Sequence, residues 1–520
     1  MPQASSTATK RGAFTRFLDT VEYLGNLLPH PITLFALFAI GIVLLSGIAS
    51  YFGLSALDPR PGGAEIEVVS LLNAEGIQRI VTGLVTNFTG FTPLGTVLVA
   101  LLGVGIAERS GLLSAAMRGL VMNAHPRVVT VAVVFSGVIS NTAAELGYVV
   151  LVPLAAMIFH SLGRHPLAGM AAAFSGVSAG YSANLLIGTV DPLLAGITTK
   201  AANLIDPDYY VGPEANWMFM FASTFLIAIM GTLVTEKIVE PKLGKYDPEE
   251  ATINLKEQTI EPLSKLEKRG LIGAGLSFLA LGGLLALTIV PEWGILRHPE
   301  TGEVAGSPFL KGIVTFIFIT FAIPGFVYGR ITNVMRTDRD VIDAMSDSMS
   351  TMGMYIVLVF FAAQFVAFFG WTNFGSILAI KGATFLQDVG LTGPAVFILF
   401  ILMCAFVNLM LGSASAQWAI TAPIFVPMLM LIGYAPEVIQ AAYRIGDSVT
   451  NIITPMMSYF GLILAVAVRY KKDTGIGTMI AMMLPYTIVF LLGWASFFFI
   501  WVFGLELPVG WWGTPTYYTP

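Results

Sequence analysis

Long apolar runs alternate with short polar clusters along the whole chain, and the spacing of the clusters sorts the runs into three kinds. Ile32–Tyr51, Thr86–Ala107, Trp217–Val234, Leu271–Val290, Gly312–Tyr328, Met354–Phe369 and Ile476–Phe503 are uninterrupted and read as membrane-crossing helices. Leu167–Thr198 and Ala441–Val468 are long enough to cross but are broken by polar clusters. The first break contains Ser178–Asn184 and Gly188–Pro192, and the second is Tyr443–Pro455. The remaining runs come in two pairs. Val128–Ile139 and Tyr148–Phe159 flank Ser140–Gly147, and Pro394–Met410 and Ala419–Ile432 flank Ser413–Gln417. Runs of 12 residues, as in the first pair, are too short to cross a bilayer alone. The first pair therefore reads as a re-entrant hairpin, and the second, whose outer flanks carry little basic charge, as another that enters from the outside; the form is tolerated where its unwound tip is buried in protein or lines an aqueous cavity.

Basic residues orient this pattern. Lys10, Arg11 and Arg16 place the amino terminus in the cytoplasm, and Arg109, Arg118 and Arg127 mark the same side. The polar loop Glu236–Arg269 carries seven Lys and Arg residues and stays inside, as do Arg330, Arg336 and Arg339. The fold class that results is all-α and polytopic, with nine transmembrane helices plus two hairpins. The order span, hairpin, broken helix, span occurs twice, starting from opposite sides, which is an inverted-topology repeat. The expected divisions are a cytoplasmic segment over 1–28, a first half over 29–235 with its hairpin near 128–160, and a linker over 236–269. A second half over 270–508, with its hairpin near 391–433, precedes a tail over 509–520.

Composition supports a bilayer and little else. The chain is 56% hydrophobic and 11% charged, against about 25% charged residues in soluble domains. Its mean hydropathy is +0.79. A net charge of −5 without a long basic run gives no footprint for nucleic acid. Cys404 is the single cysteine, lies in an apolar run and reads as a packing residue. The first apolar run is long and follows a polar stretch, so it reads as a span and not a cleavable signal.

Candidate chemistry gathers at the breaks and tips. A charge at bilayer depth costs roughly 2.5–3.5 kcal/mol on insertion scales, so Arg444 and Asp447 form a functional-site hypothesis. They stand three apart and share a helix face. Asn408, Asp447 and Asn451 are hard oxygen donors that suit Na⁺, joined by carbonyls freed before Pro455. The alternative is a structural Arg444–Asp447 pair. Asp191, beside Pro192, is either a second carboxylate facing the cavity or a helix cap. Ser140, Asn141 and Thr142 at one tip, and Ser413 and Ser415 at the other, supply hydroxyls, amides and close backbone approach. The alternative for these is helix packing. Glu145 is a candidate proton site. Trp418 either stacks on an aromatic substrate or packs beneath the tip. No metal-ligand cluster or nucleophile–base set argues for an enzyme, and the histidines form no group.

Four stretches carry a resemblance. Gly105-Ile-Ala-Glu-Arg-Ser-Gly111, Ser140-Asn-Thr-Ala-Ala-Glu145, Gly188-Thr-Val-Asp-Pro192 and Arg444-Ile-Gly-Asp-Ser-Val-Thr-Asn451 closely resemble the p-aminobenzoyl-glutamate transporter (AbgT) family, over about Phe14 to Pro508. The length is similar to that of the family's antimetabolite-efflux branch. The resemblance implies a homodimer in a bacterial inner membrane, each chain with nine transmembrane helices and two hairpins. It implies transport of p-aminobenzoyl-glutamate or export of sulfonamides, driven by a proton or Na⁺ gradient, with Na⁺ as the bound ion and no organic cofactor. It also implies roles for Asp191, Ser415, Trp418, Pro436, Arg444, Asp447 and Pro455, with Na⁺ near Asn408 and Asp447. A Na⁺-coupled di- or tricarboxylate carrier of similar architecture, or a channel, is the alternative. The tip reads Ser-Ala-Ser where related dicarboxylate carriers have Ser-Asn-Thr, which speaks against a plain dicarboxylate.

Overall fold

In the computed structural model, residues 29–60, 63–122, 124–143, 147–253, 255, 262–304, 306–511 and 513–519 are described. The basic residues of segment 1–28, Glu145, Lys256 and Trp512 lie outside them, so the expectations attached to those residues do too. Among the described residues, nineteen α-helices of nine residues or more organise the architecture. In the first half they are α1 (Pro31–Tyr51), α2 (Ala74–Thr89), α3 (Thr92–Arg109), α4 (Leu112–Met122), α5 (Val129–Ser140), α6 (Val152–Ser161), α7 (Pro166–Phe174), α8 (Val190–Ala202) and α9 (Trp217–Val234). In the second half they are α10 (Lys265–Ile289), α11 (Ile313–Ile331), α12 (Asp338–Ser350), α13 (Gly353–Trp371), α14 (Phe374–Asp388), α15 (Val396–Leu411), α16 (Ala414–Leu431), α17 (Pro436–Val449), α18 (Phe460–Tyr470) and α19 (Ile476–Phe499).

Among the described residues eight helices are long and apolar enough to cross a membrane. Seven are the uninterrupted runs of the sequence. The eighth is α16, which the pattern reads as a hairpin arm. Neither half of the two broken runs reaches that length, because polar turns end α7 and α17 early.

Local chemistry accounts for most boundaries. α1 begins where the His30 ring accepts from the Ile32 amide and Pro31 occupies the first turn. α10 begins at a reciprocal Ser264–Glu267 capping box. α15 ends at Gly412, whose φ of +57° reverses the chain in the left-handed region that glycine adopts without strain.

The sequence expectation needs four corrections. The second crossing starts at Ala74, because α2 and α3 together form one 36-residue apolar rod. The loop before it carries a two-stranded antiparallel hairpin that pairs Ser55–Leu57 with Glu65–Glu67. α4, α12 and α14 lie where no element was expected. α12 is short and amphipathic and is started by a Thr337–Asp340 capping box, so hydropathy alone passes over it. The second tip is narrower than Ser413–Gln417: α16 begins at Ala414 and takes Ser415 and Gln417 into its first turn.

The main core combines α5 to α9 with α13 and α15 to α19. α3 packs against α11 through small residues: a Cβ on Gly103 would sit 2.3 Å from the Phe318 carbonyl, and one on Gly325 would sit 2.6 Å from the Ala107 Cα. Glycine permits this backbone approach, the usual way apolar helices associate in lipid. α10 turns outward, with Leu276, Leu279, Leu284 and Leu287 exposed, as expected of a surface that meets acyl chains or another subunit.

Candidate functional site

The two broken helices meet at their breaks. α7 runs on through a π turn, Ser175–Ala179, and gives way at Gly180 to non-helical chain that lasts until α8. Asp191 sits in the first turn of α8, where its Oδ2 accepts from the Gly188 amide at 2.7 Å. In the second half α17 yields to a short 3₁₀ turn, Asn451–Ile453. Pro455 follows, and the chain turns helical again only at Phe460. Hydrogen bonds join the breaks, among them one from Ser178 Oγ to Met457 Sδ at 3.1 Å. Arg444 Nη1 donates to Asp191 Oδ1 at 2.7 Å and Nη2 donates to the Ser182 carbonyl at 2.9 Å. The Ser182 amide donates to Ser448 Oγ at 3.2 Å, and Asn451 Nδ2 donates to the Ser178 carbonyl at 3.2 Å.

This corrects one sequence alternative. Arg444 and Asp447 share a helix, yet the guanidinium pairs with Asp191 of the other half and not with Asp447. The pair is buried, at 2% and 9% side-chain exposure, so removing one partner strands the other charge in the interior. Arg444 Nε has no hydrogen-bond partner and is buried.

Asn408, in the last turn of α15, reaches the end of α17. Its Nδ2 lies 2.5 Å from the Asp447 carbonyl, 2.9 Å from Thr450 Oγ1 and 2.7 Å from Asn451 Oδ1. Its Oδ1 has no partner. Asp447 Oδ1 accepts from the Tyr443 hydroxyl at 3.3 Å, while Oδ2 has no partner. Both residues are at most 1% exposed. Buried polar atoms are almost always satisfied, so these two oxygens on adjacent elements are free to accept from water or to bind a ligand. An amide oxygen and a carboxylate oxygen fit a small hard cation.

Around the second tip, Ser413 Oγ and Ser415 Oγ are half-buried and 3.5 Å apart. Trp418 is fully buried. Its ring stacks on Tyr443 with centroids 4.2 Å apart, and its Nε1 donates to Thr198 Oγ1 at 2.9 Å. The single Tyr443 hydroxyl proton is shared between Asp447 Oδ1 and the nearer Ala414 carbonyl at 2.6 Å, which ties the tip to α17. At the first tip, Ser140 Oγ donates to the Gly137 carbonyl, Asn141 Nδ2 to the Gly180 carbonyl at 3.5 Å, and Thr142 Oγ1 to Asn184 Oδ1 at 2.6 Å. Asn141 Oδ1 has no partner.

Residues 16–518 match the model of the "AbgT putative transporter family". The chain belongs to the AbgT family. It is 38% identical to the p-aminobenzoyl-glutamate transport protein of Escherichia coli (strain K12) over 490 residues, which covers 94% of this chain and 95% of that one. Among solved structures it superimposes on Neisseria gonorrhoeae MtrF, of a class of antimetabolite efflux pumps, with a TM-score of 0.90. The identity is 65%, over 95% of this chain and 99% of that one. It also superimposes on the Alcanivorax borkumensis YdaH transporter with a TM-score of 0.85 and 45% identity, over 93% and 100% of the two chains.

In this AbgT-family transporter the crossing gathers Asp191, Arg444, Asp447, Asn408 and Asn451, with Ser415 and Trp418 at the adjoining tip. Pro436 opens α17 and Pro455 follows its break. Sequence reasoning missed the relay behind them. Thr198 Oγ1 donates to Gln440 Oε1 at 2.5 Å, Gln440 Nε2 to Asn216 Oδ1 at 2.8 Å, and Asn216 Nδ2 to the Glu437 carbonyl at 2.7 Å. The signal was available: Glu437, Gln440, Arg444, Asp447 and Asn451 recur at three- and four-residue intervals, one polar stripe on an otherwise apolar helix. A cavity of about 300 Å³ opens beside Glu437, with Glu214, Tyr210 and Lys311 on its wall. Outside the spans, burial pushes the Glu214 carboxyl from 4.5 up to about 7.

Proposed function

We propose that this membrane transporter carries p-aminobenzoyl-glutamate, exports sulfonamide antimetabolites, or does both, by secondary active transport coupled to a Na⁺ or proton gradient. The observation that carries this reading is the set of buried, unpartnered polar atoms at the crossing: Arg444 Nε, Asn408 Oδ1 and Asp447 Oδ2. A spare guanidinium N–H suits a substrate carboxylate, and the two oxygens suit a cation. Asn408 and Asp447, with Asn451 alongside, would hold Na⁺, which when bound offsets the buried carboxylate.

Ser413, Ser415, Ser140 and Thr142 offer hydroxyls toward a substrate held between the tips. Trp418, packed on Tyr443 and tied to Thr198, would hold the second tip against α17, so that binding energy spent on the tip reaches the ion site. In this reading the helix pairs α5–α6 and α15–α16 are re-entrant, and the halves are inverted repeats that rock against the remaining spans. The chain would lie in a bacterial inner membrane with its amino terminus in the cytoplasm, as a homodimer. The linker 236–269 would join its halves. Each charge driven inward gains about 2.3 kcal/mol per 100 mV, enough for a roughly 50-fold gradient.

The test is counterflow of labelled p-aminobenzoyl-glutamate in proteoliposomes, with a sulfonamide and citrate as competitors. Saturable exchange blocked by the sulfonamide and indifferent to citrate is expected. Block by citrate or succinate would point to a carboxylate carrier, and flux without saturation would point to a channel.

A further inference from the structure

The bond from Asn408 to a backbone carbonyl of α17 has a counterpart in the first half. Asn408 Nδ2 donates to the backbone carbonyl of Asp447, and Asn141 Nδ2 donates to the backbone carbonyl of Gly180. The separation is 39 residues in both cases. The same interval along the chain separates Asn141 from Asn408, Gly180 from Asp447 and Asn184 from Asn451. Asn184, like Asn451, accepts a side-chain hydrogen bond from the tip of its own half, at 2.6 and 2.7 Å. In both halves the tip asparagine leaves its Oδ1 buried and without a partner.

We propose that this first-half cradle is a second cation site, a weaker Na⁺ site of neutral oxygens around Asn141. It rests on the reading of Asn408 and Asp447 as a cation site. Asn141 is 4% exposed, so its orphan oxygen has no bulk water to turn to. Ser182 Oγ, fully buried two residues beyond Gly180, is a second orphan oxygen in the same stretch. The cradle stands where α5 ends at Ser140 and the π turn after α7 ends at Ala179. Helix C-termini with freed carbonyls are where unwound membrane helices hold cations. The chain closes over it at Gly188, where a Cβ would come within 3.1 Å of Asn184 Nδ2 and 3.4 Å of the Thr142 Cα.

The missing carboxylate has a steric cause. A Cβ on Gly180 would sit 2.6 Å from the Gly176 carbonyl and 2.9 Å from Val138 Cγ2, so no side chain fits where the second half has Asp447. The guanidinium that touches the Ser182 carbonyl is already paired with Asp191 and leaves no net charge on that side. The oxygens of Asn141, Gly180, Ser182 and Asn184 carry no titratable group, so these four residues suit a metal cation and not a proton. A neutral set also binds more weakly than one with a carboxylate.

Equilibrium binding of radiolabelled Na⁺ to the purified full chain, across Asn141→Ala, Asn408→Ala and the double variant, tests this. Two Na⁺ per wild-type chain are expected, one in each single variant and none in the double. One Na⁺ in the wild type, lost in Asn408→Ala and kept in Asn141→Ala, overturns the second site and leaves the first standing. Binding unaffected by either substitution, or absent from the wild type, overturns both. The near-isosteric Asn141→Asp keeps the test decisive if Asn141→Ala does not fold. It should retain two Na⁺ and tighten the weaker site by about tenfold or more. An unchanged weaker site would contradict the assignment.

Discussion

Arg444 reaches from one broken helix to Asp191 at the start of the other half of its counterpart, 2.7 Å away and almost sealed from solvent. The contact joins the two halves of the chain at the point where both have given up helical hydrogen bonding. Charge and non-helical backbone are therefore concentrated in one place, the arrangement expected of an element that exchanges partners.

The first prediction concerns this pair. Arg444→Ala leaves the Asp191 carboxylate buried without its cation and should cost about 3–5 kcal/mol of stability, with transport abolished. Arg444→Lys keeps the charge but loses the fork that serves Asp191 and the Ser182 carbonyl together, so transport should still fall steeply in a better-folded protein. Thermal unfolding in detergent, with uptake into proteoliposomes, checks both. Full transport by the lysine variant would show that the planar fork is dispensable.

Trp418 separates packing from substrate contact. Trp418→Phe retains the stack on Tyr443 and loses the bond to Thr198 and part of the buried ring volume, an expected loss of about 1–3 kcal/mol with transport preserved. Trp418→Ala removes a fully buried ring and should cost about 3–5 kcal/mol. If Trp418→Phe changed substrate preference and left stability alone, the indole would be a substrate contact instead.

Glu214 gives a pH prediction. Its carboxyl is raised from 4.5 to about 7 by burial, so the folded state holds a proton that the unfolded chain has lost. The stability this adds is fully present below about pH 4.5 and fades as pH rises to about 7. Melting temperatures across that window should fall more for the wild type than for Glu214→Gln. Parallel curves would contradict the assignment.

The α3–α11 contact offers a structural check. Gly103→Leu places a side chain against the Phe318 backbone, which cannot yield as a side chain can, and should destabilise by about 1–3 kcal/mol. Gly95, with open space around its Cβ position, tolerates alanine. Equal effects at the two positions would argue against close backbone packing there.

Much of this architecture is legible in hydropathy because lipid demands apolar runs. Trp217–Val234 appears in the structure with the bounds its composition suggests, and both breaks fall where Ser, Gly, Asn and Pro interrupt the pattern. α12 escaped for the converse reason: Asp338, Arg339, Asp340 and Asp343 make it polar, and only its capping box betrays it. The residues of the site were readable because ionisable and amide groups in apolar surroundings stand out. Their partners were not. Helical spacing offers Arg444 a neighbour in Asp447, whereas its partner Asp191 lies 253 positions away, brought close only by the meeting of two breaks. The matched roles of Asn141 and Asn408 were equally hidden. Their likeness lies in which backbone carbonyl each side chain bonds and which oxygen each leaves free.

Buried groups at the crossing couple an ion to a substrate in the proposed transport cycle. Its most direct test is substrate accumulation in proteoliposomes with Na⁺ and proton gradients imposed separately, for the wild type and Asp447→Ala. The wild type should concentrate substrate when the coupled gradient is present, and Asp447→Ala should not do so under either gradient. Accumulation by Asp447→Ala at the wild-type level would contradict it.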